Sequence, residues 1–260
     1  MKAAFTFVFL LTANFLLAQE YYVLQVKGKV KNLKTGKELK MSDVIKAEDQ
    51  LQFSSATDAV AVVSSKTGRF ILKPGAPSMQ NEFLAFVKDA LKPSSGKLST
   101  RSGAFVNVLD FQNYFSETIL LLPELKYAVA PGGFPIKENS FFFVRFKYKG
   151  EDINKQLPSN EGNLLMINRE ELFKIDGKSI PPEEAKEFGL FYYDEKGEML
   201  LSSLQLNTTD PAIVKKQIEL IKKTFRSSGS FKVNDEIIAY LQENFGKVDE
   251  SNLKGWLEAK

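Results

Sequence analysis

From Tyr21 to Pro74 apolar and polar positions alternate with the period of a β-strand. YYVLQVKGKV is rich in β-branched and aromatic residues and puts Val26, Gly28 and Val30 on one alternating face. NLKTGKEL reads as a turn, in which Gly36 is free to take a positive φ. VIKAEDQLQF then leads to AVAVVSS, whose lack of charge predicts a strand buried on both faces. A turn at SKTG and the strand RFILK complete a small all-β unit of hairpins.

The period changes over Met79 to Leu91. Phe83, Phe86, Val87 and Ala90 fall at helical spacing, and Pro93 marks a stop. KPSSGKLSTRSG reads as a linker. AFVNVLDFQNYF regains apolar character as either a strand or a short helix. Strands return from Thr118 to Leu206. FFFVRFKYKG sets Phe142, Val144, Phe146 and Tyr148 on one face, with Arg145 and Lys147 on the other. DEKGE reads as the turn between GLFYY and MLLSSLQL. Strands at this spacing suggest a β-sandwich. Pro181 to Ala185 reads as a short helix or a crossing loop. Beyond Asp210, an N-cap followed by Pro211 opens a helix with Val214, Ile218, Ile221 and Phe225 on one stripe. A second helix, capped by Asn234 or Asp235, ends at Gly246, and Asp249 caps a third carrying Leu253, Trp256 and Leu257. Trp256 is expected to dock that helix on the β-domain.

The expected fold is mostly β, α+β overall. A signal segment covers 1–18, a small β-domain 19–75, and a helix with a Ser/Gly-rich linker 76–117. A β-sandwich-like domain covers 118–207 and a helical C-terminal region 208–260.

The longest apolar run is the first. Lys2 precedes an apolar stretch from Ala3 to Leu17, broken by Thr6, Thr12 and Asn14, and the small Ala18 stands before Gln19. This is the pattern of a secretory signal peptide cut between Ala18 and Gln19. It is shorter than the roughly 20 apolar residues that a spanning helix needs. The expected location is therefore periplasmic or extracellular, with no transmembrane segment after cleavage.

Composition narrows the chemistry. There is no cysteine and no histidine among the 260 residues. Disulfides and a lipidated cysteine are excluded, as are Ser-His-Asp and Cys-His catalysis and His- or Cys-ligated zinc, haem and iron–sulfur centres. Stability must come from burial, for which 22 Phe residues are the supply. The balance of 35 basic against 32 acidic residues argues against a dedicated nucleic-acid binder. No cofactor, no metal site and no catalytic residue is expected.

The order Val26-Lys27-Gly28-Lys29-Val30, Leu39 to Asp43, Leu51-Gln52-Phe53, Ala59 to Val63 and Gly68-Arg69-Phe70-Ile71-Leu72 resembles the FecR-type β-domain. Ser42 stands where that family usually has Gly. The resemblance implies the fold of 21–74. The signalling activity of such regulators requires a membrane segment of a different kind from a cleavable signal. The remainder resembles uncharacterised secreted bacterial proteins, through Leu122-Pro123-Glu124 with Tyr127 and Pro131-Gly132-Gly133-Phe134, then Gly150 to Lys155 and Asp176-Gly177-Lys178. No activity attaches to that pattern.

Lys34-Thr35-Gly36, Lys66-Thr67-Gly68 and Ser94-Ser95-Gly96-Lys97 spell fragments of the penicillin-binding signature. Both K-T-G triplets precede the S-x-x-K, the reverse of that family's order, and K-T-G is ordinary turn chemistry. Asp43, Glu48, Asp49, Glu151, Asp152, Asp194 and Glu198 could supply an acid–base pair, but read more simply as turn or surface residues. Lys215, Lys216, Lys222, Lys223 and Arg226 form a candidate basic face on the first C-terminal helix, suited to anionic lipid or lipopolysaccharide.

The function expected is that of a non-catalytic exported envelope or secreted protein. Its β-domains would bind an envelope protein or a surface polysaccharide. The alternatives are a carboxylate-based glycan hydrolase and a FecR-like sensor component. A hydrolase needs a cleft with two carboxylates about 5–10 Å apart. A binding module shows an exposed apolar patch or an open sheet edge.

Overall fold

The computed structural model describes residues 19–75, 103–160, 163–226 and 230–259. The predicted signal segment, the helix over 79–91 and the linker after Pro93 lie outside the described residues. The chain is mixed α+β and mostly strands, with sheets in its N-terminal and middle regions and helices at its C-terminus. It divides into two compact units, Met1–Lys92 and Pro93–Lys260.

In the first unit β1 (Glu20–Lys27), β3 (Val44–Lys46), β5 (Ala59–Ser64) and β6 (Gly68–Leu72) form an antiparallel sheet. Its order is β3-β1-β5-β6. β2 (Val30–Asn32) pairs with β4 (Leu51–Phe53). Tyr21, Val23, Ile45, Val60, Val62, Phe70 and Leu72 make the core. The register of β1 on β5 slips between Val23 and Gln25. This bulge lets the consecutive residues Val23 and Leu24 both bury. Val62 and Val63 are also both buried, as the uncharged AVAVVSS run predicts.

The expected alternation through Gly28 breaks, because β1 ends at Lys27 and Gly28 turns with φ +80°. A Cβ there would lie 1.9 Å from Asp58 Oδ1. That carboxylate is itself pinned, its Oδ2 accepting the Ser54 and Ser55 N–H groups at 2.9 and 2.8 Å. Ser42, where the FecR-type pattern carries glycine, takes φ +76°.

The second unit opens with Phe105, bridged to Val129, and then helix α1 (Val108–Tyr114). The AFVNVLDFQNYF segment is thus a bridge followed by a helix, begun by a capping box between Asn107 and Asp110. The strands that follow are β7 (Ile119–Leu120), β8 (Glu124–Ala128), β9 (Phe141–Tyr148), β10 (Glu151–Gln156), β11 (Ser159–Asn160) and β12 (Leu164–Asn168). Helix α2 (Arg169–Leu172) leads to the hairpin of β13 (Lys174–Ile175) and β14 (Lys178–Ser179), and Pro182–Glu184 is one 3-10 turn. β15 (Lys186–Asp194), β16 (Gly197–Leu204) and β17 (Leu206–Asn207) complete the strands. Two antiparallel sheets result, β10-β9-β15-β16 and β11-β12-β8, and β17 pairs in parallel with β7.

Aromatic rings fill this unit. Phe105 stacks on Phe111 at 4.1 Å between centroids and meets Tyr114, Phe115 and Tyr127 within 6 Å. Phe111 continues to Phe134 and Phe142, and Phe134 to Tyr192, so the stack reaches the inner face of β9 and β15. Phe142, Val144 and Phe146 bury on that face as expected, while Tyr148 is half-buried.

Helix α3 (Pro211–Thr224) is capped by Asp210 and buries Val214, Ile218 and Ile221, with Phe225 following. Helix α4 (Ser230–Phe245) starts earlier than expected. Asn234 and Asp235 lie inside it, exposed to solvent, where polar side chains need not serve as caps. Helix α5 (Glu250–Glu258) is capped by Asp249. Between α4 and α5 the chain runs beside β7. Lys247 N–H donates to Thr118 O at 2.7 Å, and Leu120 N–H donates to Lys247 O at 3.0 Å. Gly246, at φ +98°, makes this approach possible, since a Cβ would lie 2.4 Å from Thr118 O.

Helix α5 docks on the edge strand β8 through a side-chain amide. Asn252 Oδ1 accepts the Lys126 N–H at 2.7 Å, and its Nδ2 donates to Lys126 O at 3.1 Å. Leu253 is buried and Trp256 is half-buried on the same helix. No described helix is long and apolar enough to cross a membrane.

Gly246→Ala is expected to cost about 1–3 kcal/mol, since it forces a side chain into left-handed backbone against Thr118. Gly255→Ala, in the interior of α5 with nothing within 4 Å of its Cβ position, should instead gain up to about 1 kcal/mol. Urea unfolding of the two variants beside the parent checks both signs.

Candidate functional site

The outer face of the sheet β10-β9-β15-β16 is also apolar, with Phe143 buried there and Phe141 and Phe191 partly buried. Register fixes their places. Phe143 lies opposite Phe191, which lies opposite Leu200, and Phe141 lies opposite Tyr193. Arg145 lies opposite Gly189 on one side and Asn154 on the other. The missing side chain at Gly189 leaves room that its neighbours fill, for a Cβ there would sit 2.7 Å from the Phe191 ring and 3.3 Å from Leu200.

Arg145 stands at the centre. Its Nη1 and Nη2 donate to Glu198 Oε1 and Oε2 at 2.9 and 2.7 Å, and its Nε donates to Asn154 Oδ1 at 2.7 Å. The guanidinium lies 4.8 Å from the Phe191 ring centre and 5.5 Å from that of Phe143. A bidentate pair with a third hydrogen bond holds a long side chain in one rotamer. The hydrogen bonds to Arg145 hold the Glu198 carboxyl below its ordinary range, and those to Glu198 raise the guanidinium. Arg145 is therefore a strut, its charge matched within the face.

The rings pair with each other. Phe143 and Phe191 stack at 5.0 Å and 13°, and Phe141 and Tyr193 at 5.2 Å and 27°. Each pair uses one face of each ring on its neighbour, and Arg145 covers Phe191 as well. What meets solvent is a low ridge formed by Tyr193, 41% exposed, and Leu200, 50% exposed.

The other nominated residues are dispersed. Asp43 Oδ2 accepts the Lys40 N–H, Asp49 Oδ2 accepts the Lys46 N–H and the Asn32 amide, and Asp194 Oδ1 accepts the Lys196 N–H. Glu48 lies 4.0 Å from Lys34. Glu151 and Asp152 are exposed on β10. Lys215, Lys216, Lys222 and Lys223 are exposed on α3, away from the buried stripe, and Arg226 is exposed in the turn just past its end. Of the predicted cleavage pair, Ala18 is outside the described residues, and Gln19 lies just before β1.

Two shallow depressions flank α2, of about 160 and 370 Å³. The larger contains Arg169, half-buried and lowered in pKa by that burial. Its Nη1 and Nη2 donate to Leu121 O and Thr208 O at 3.3 and 2.6 Å, so this cation ties chain segments together. Among the described residues no group of three Asp or Glu side chains could hold a metal ion.

Sequence reasoning placed Arg145 on the face opposite Phe142 but did not make it part of a site. It missed Asn154, Phe191, Tyr193 and Leu200. The signal was present in the run Leu190-Phe191-Tyr192-Tyr193, where both faces of an antiparallel strand are apolar and only one can meet the core. The Pro131-Gly132-Gly133-Phe134 motif turns out to be structural. A Cβ at Gly133 would lie 2.3 Å from Val106 O, and Phe134 sits in the aromatic stack.

Glu198 titrates below its unfolded value, so the contribution of its pair with Arg145 is complete above the ordinary carboxylate range. It is lost as pH falls through the depressed pKa. Carboxyl NMR should show Glu198 titrating below a free Glu, and Arg145→Met should return it upward. An identical midpoint in both proteins would contradict the strut. The chain matches no protein-family model, no curated protein and no solved structure.

Proposed function

We propose that this is a non-catalytic exported protein that binds a protein partner through the outer face of β9, β15 and β16. The observation that carries the reading is the ridge of Tyr193 and Leu200 on a floor locked by Arg145, Glu198 and Asn154. Aromatic residues and Arg are enriched at protein interfaces. A rigid aromatic contact loses little side-chain entropy on binding. Export rests on the Lys2-to-Ala18 signal pattern.

The geometry favours a protein over a polysaccharide. A pyranose ring stacks on an open, flat aromatic face. Here the faces of Phe143 and Phe191 lie on each other and on the Arg145 guanidinium. A ridge with an aliphatic member suits apolar side chains of a partner. A carboxylate hydrolase is disfavoured by how its candidates are used. Asp43, Asp49 and Asp194 are tied into turns, and Glu198 is held ionised by Arg145.

The test compares proteins captured from an envelope fraction by the parent and by a Tyr193→Ser/Leu200→Asp variant whose folding is checked by circular dichroism. Loss of two central contacts should weaken the captured partner by more than about tenfold. Lys215→Glu/Lys222→Glu should leave it unchanged. Capture that survives the first pair and fails with the second would move the site to α3 and overturn the proposal.

A further inference from the structure

We propose that Gln19, as the first residue of the exported chain, is a pyroglutamate-forming site that the fold holds in its open form. The proposal rests on the cut between Ala18 and Gln19 predicted from the sequence, and is independent of the docking face.

An N-terminal glutamine carries its own electrophile. The freed α-amine attacks its side-chain Cδ, forming the N–Cδ bond of a five-membered lactam. The Cδ–Nε2 bond then breaks, and Nε2 leaves as ammonia with the proton that the amine gives up. No oxidant, reductant or further reactant is needed. The reaction requires the side chain to fold back on its own nitrogen and the amide to lose its planarity.

The structure opposes both requirements. Gln19 Nε2 donates to Ser64 Oγ and to Thr67 Oγ1, each at 2.9 Å. Both amide hydrogens are thereby used across the sheet, on residues 45 and 48 positions away. The acceptors are themselves fixed. Ser64 is 1% exposed at the end of β5, and its Oγ also accepts the Lys66 N–H. Thr67 lies in the turn that joins β5 to β6, whose register runs without a slip from Val60–Leu72 to Ser64–Gly68. Closing the lactam would break both bonds before the leaving group could depart. Two neutral hydrogen bonds lost on the way to the transition state slow the closure on the order of tenfold or more. The unfolded chain has no such restraint. The open form keeps the positive charge of the α-amine at the start of β1, and cyclisation would remove it.

The experiment exports the full chain and follows its N-terminal peptide by mass spectrometry during incubation, folded and in urea. The expected result is a chain beginning at Gln19 with its amide intact in the folded protein, losing one ammonia in urea. Ser64→Ala/Thr67→Ala, confirmed folded, should cyclise at close to the unfolded rate, and Gln19→Glu should lose no ammonia. If the double variant does not fold, the folded and unfolded parent still decide the matter. Equal rates in the two states of the parent overturn the proposal. A chain beginning anywhere other than Gln19 also overturns it, and does so by removing the cut rather than the restraint.

Discussion

The second unit depends on one aromatic stack, with Phe105 against Phe111 at its centre. In a chain without cysteine, no covalent link can substitute for it. Burying large rings yields the most apolar area per residue ordered. The stack spans elements far apart in sequence, joining α1 to β8 through Tyr127 and to β9 and β15 through Phe142 and Tyr192. It also sets the position of Tyr114, whose hydroxyl donates to Asp249 at 3.3 Å and whose ring lies under the Lys247 ammonium at 3.9 Å. The C-terminal helices are thus tied to the sheets through the same cluster.

The candidate site follows from that arrangement. With Phe142, Val144, Leu190 and Tyr192 committed to the stack and its surroundings, the alternate residues of β9 and β15 must face outward. Those residues are aromatic as well. An apolar outer face on an antiparallel sheet loses free energy to water unless something covers it. Arg145 covers part of it, at the cost of holding a long side chain still. Glu198 and Asn154 offset that cost with three hydrogen bonds. The part left uncovered, around Tyr193 and Leu200, is the part proposed to meet a partner.

Period alone revealed much of the fold. The α3 stripe of Val214, Ile218, Ile221 and Phe225 and the inward side of β9 were legible because each sits on one well-defined face. The Asp210 and Asp249 caps were legible because capping is local. Gly28 was misread, because its turn is dictated by Asp58, thirty residues away in sequence. The start of α4 was misplaced, because Asn and Asp resemble caps wherever solvent reaches them. Asn252 makes a two-point contact with β8, and no local pattern marks an amide for that role. The site was the least legible part. Phe143, Phe191 and Leu200 meet only through the register of three strands, and Arg145 finds Glu198 across an intervening strand.

The central claim is that the Tyr193–Leu200 ridge is covered by a protein. A photo-crosslinking amino acid placed at position 200 of the full chain tests it most directly. A second chain carries the same label at position 151 on β10 as the control. The account predicts a discrete protein adduct from position 200 and none from position 151. An adduct with polysaccharide, or equal labelling from both positions, would contradict it.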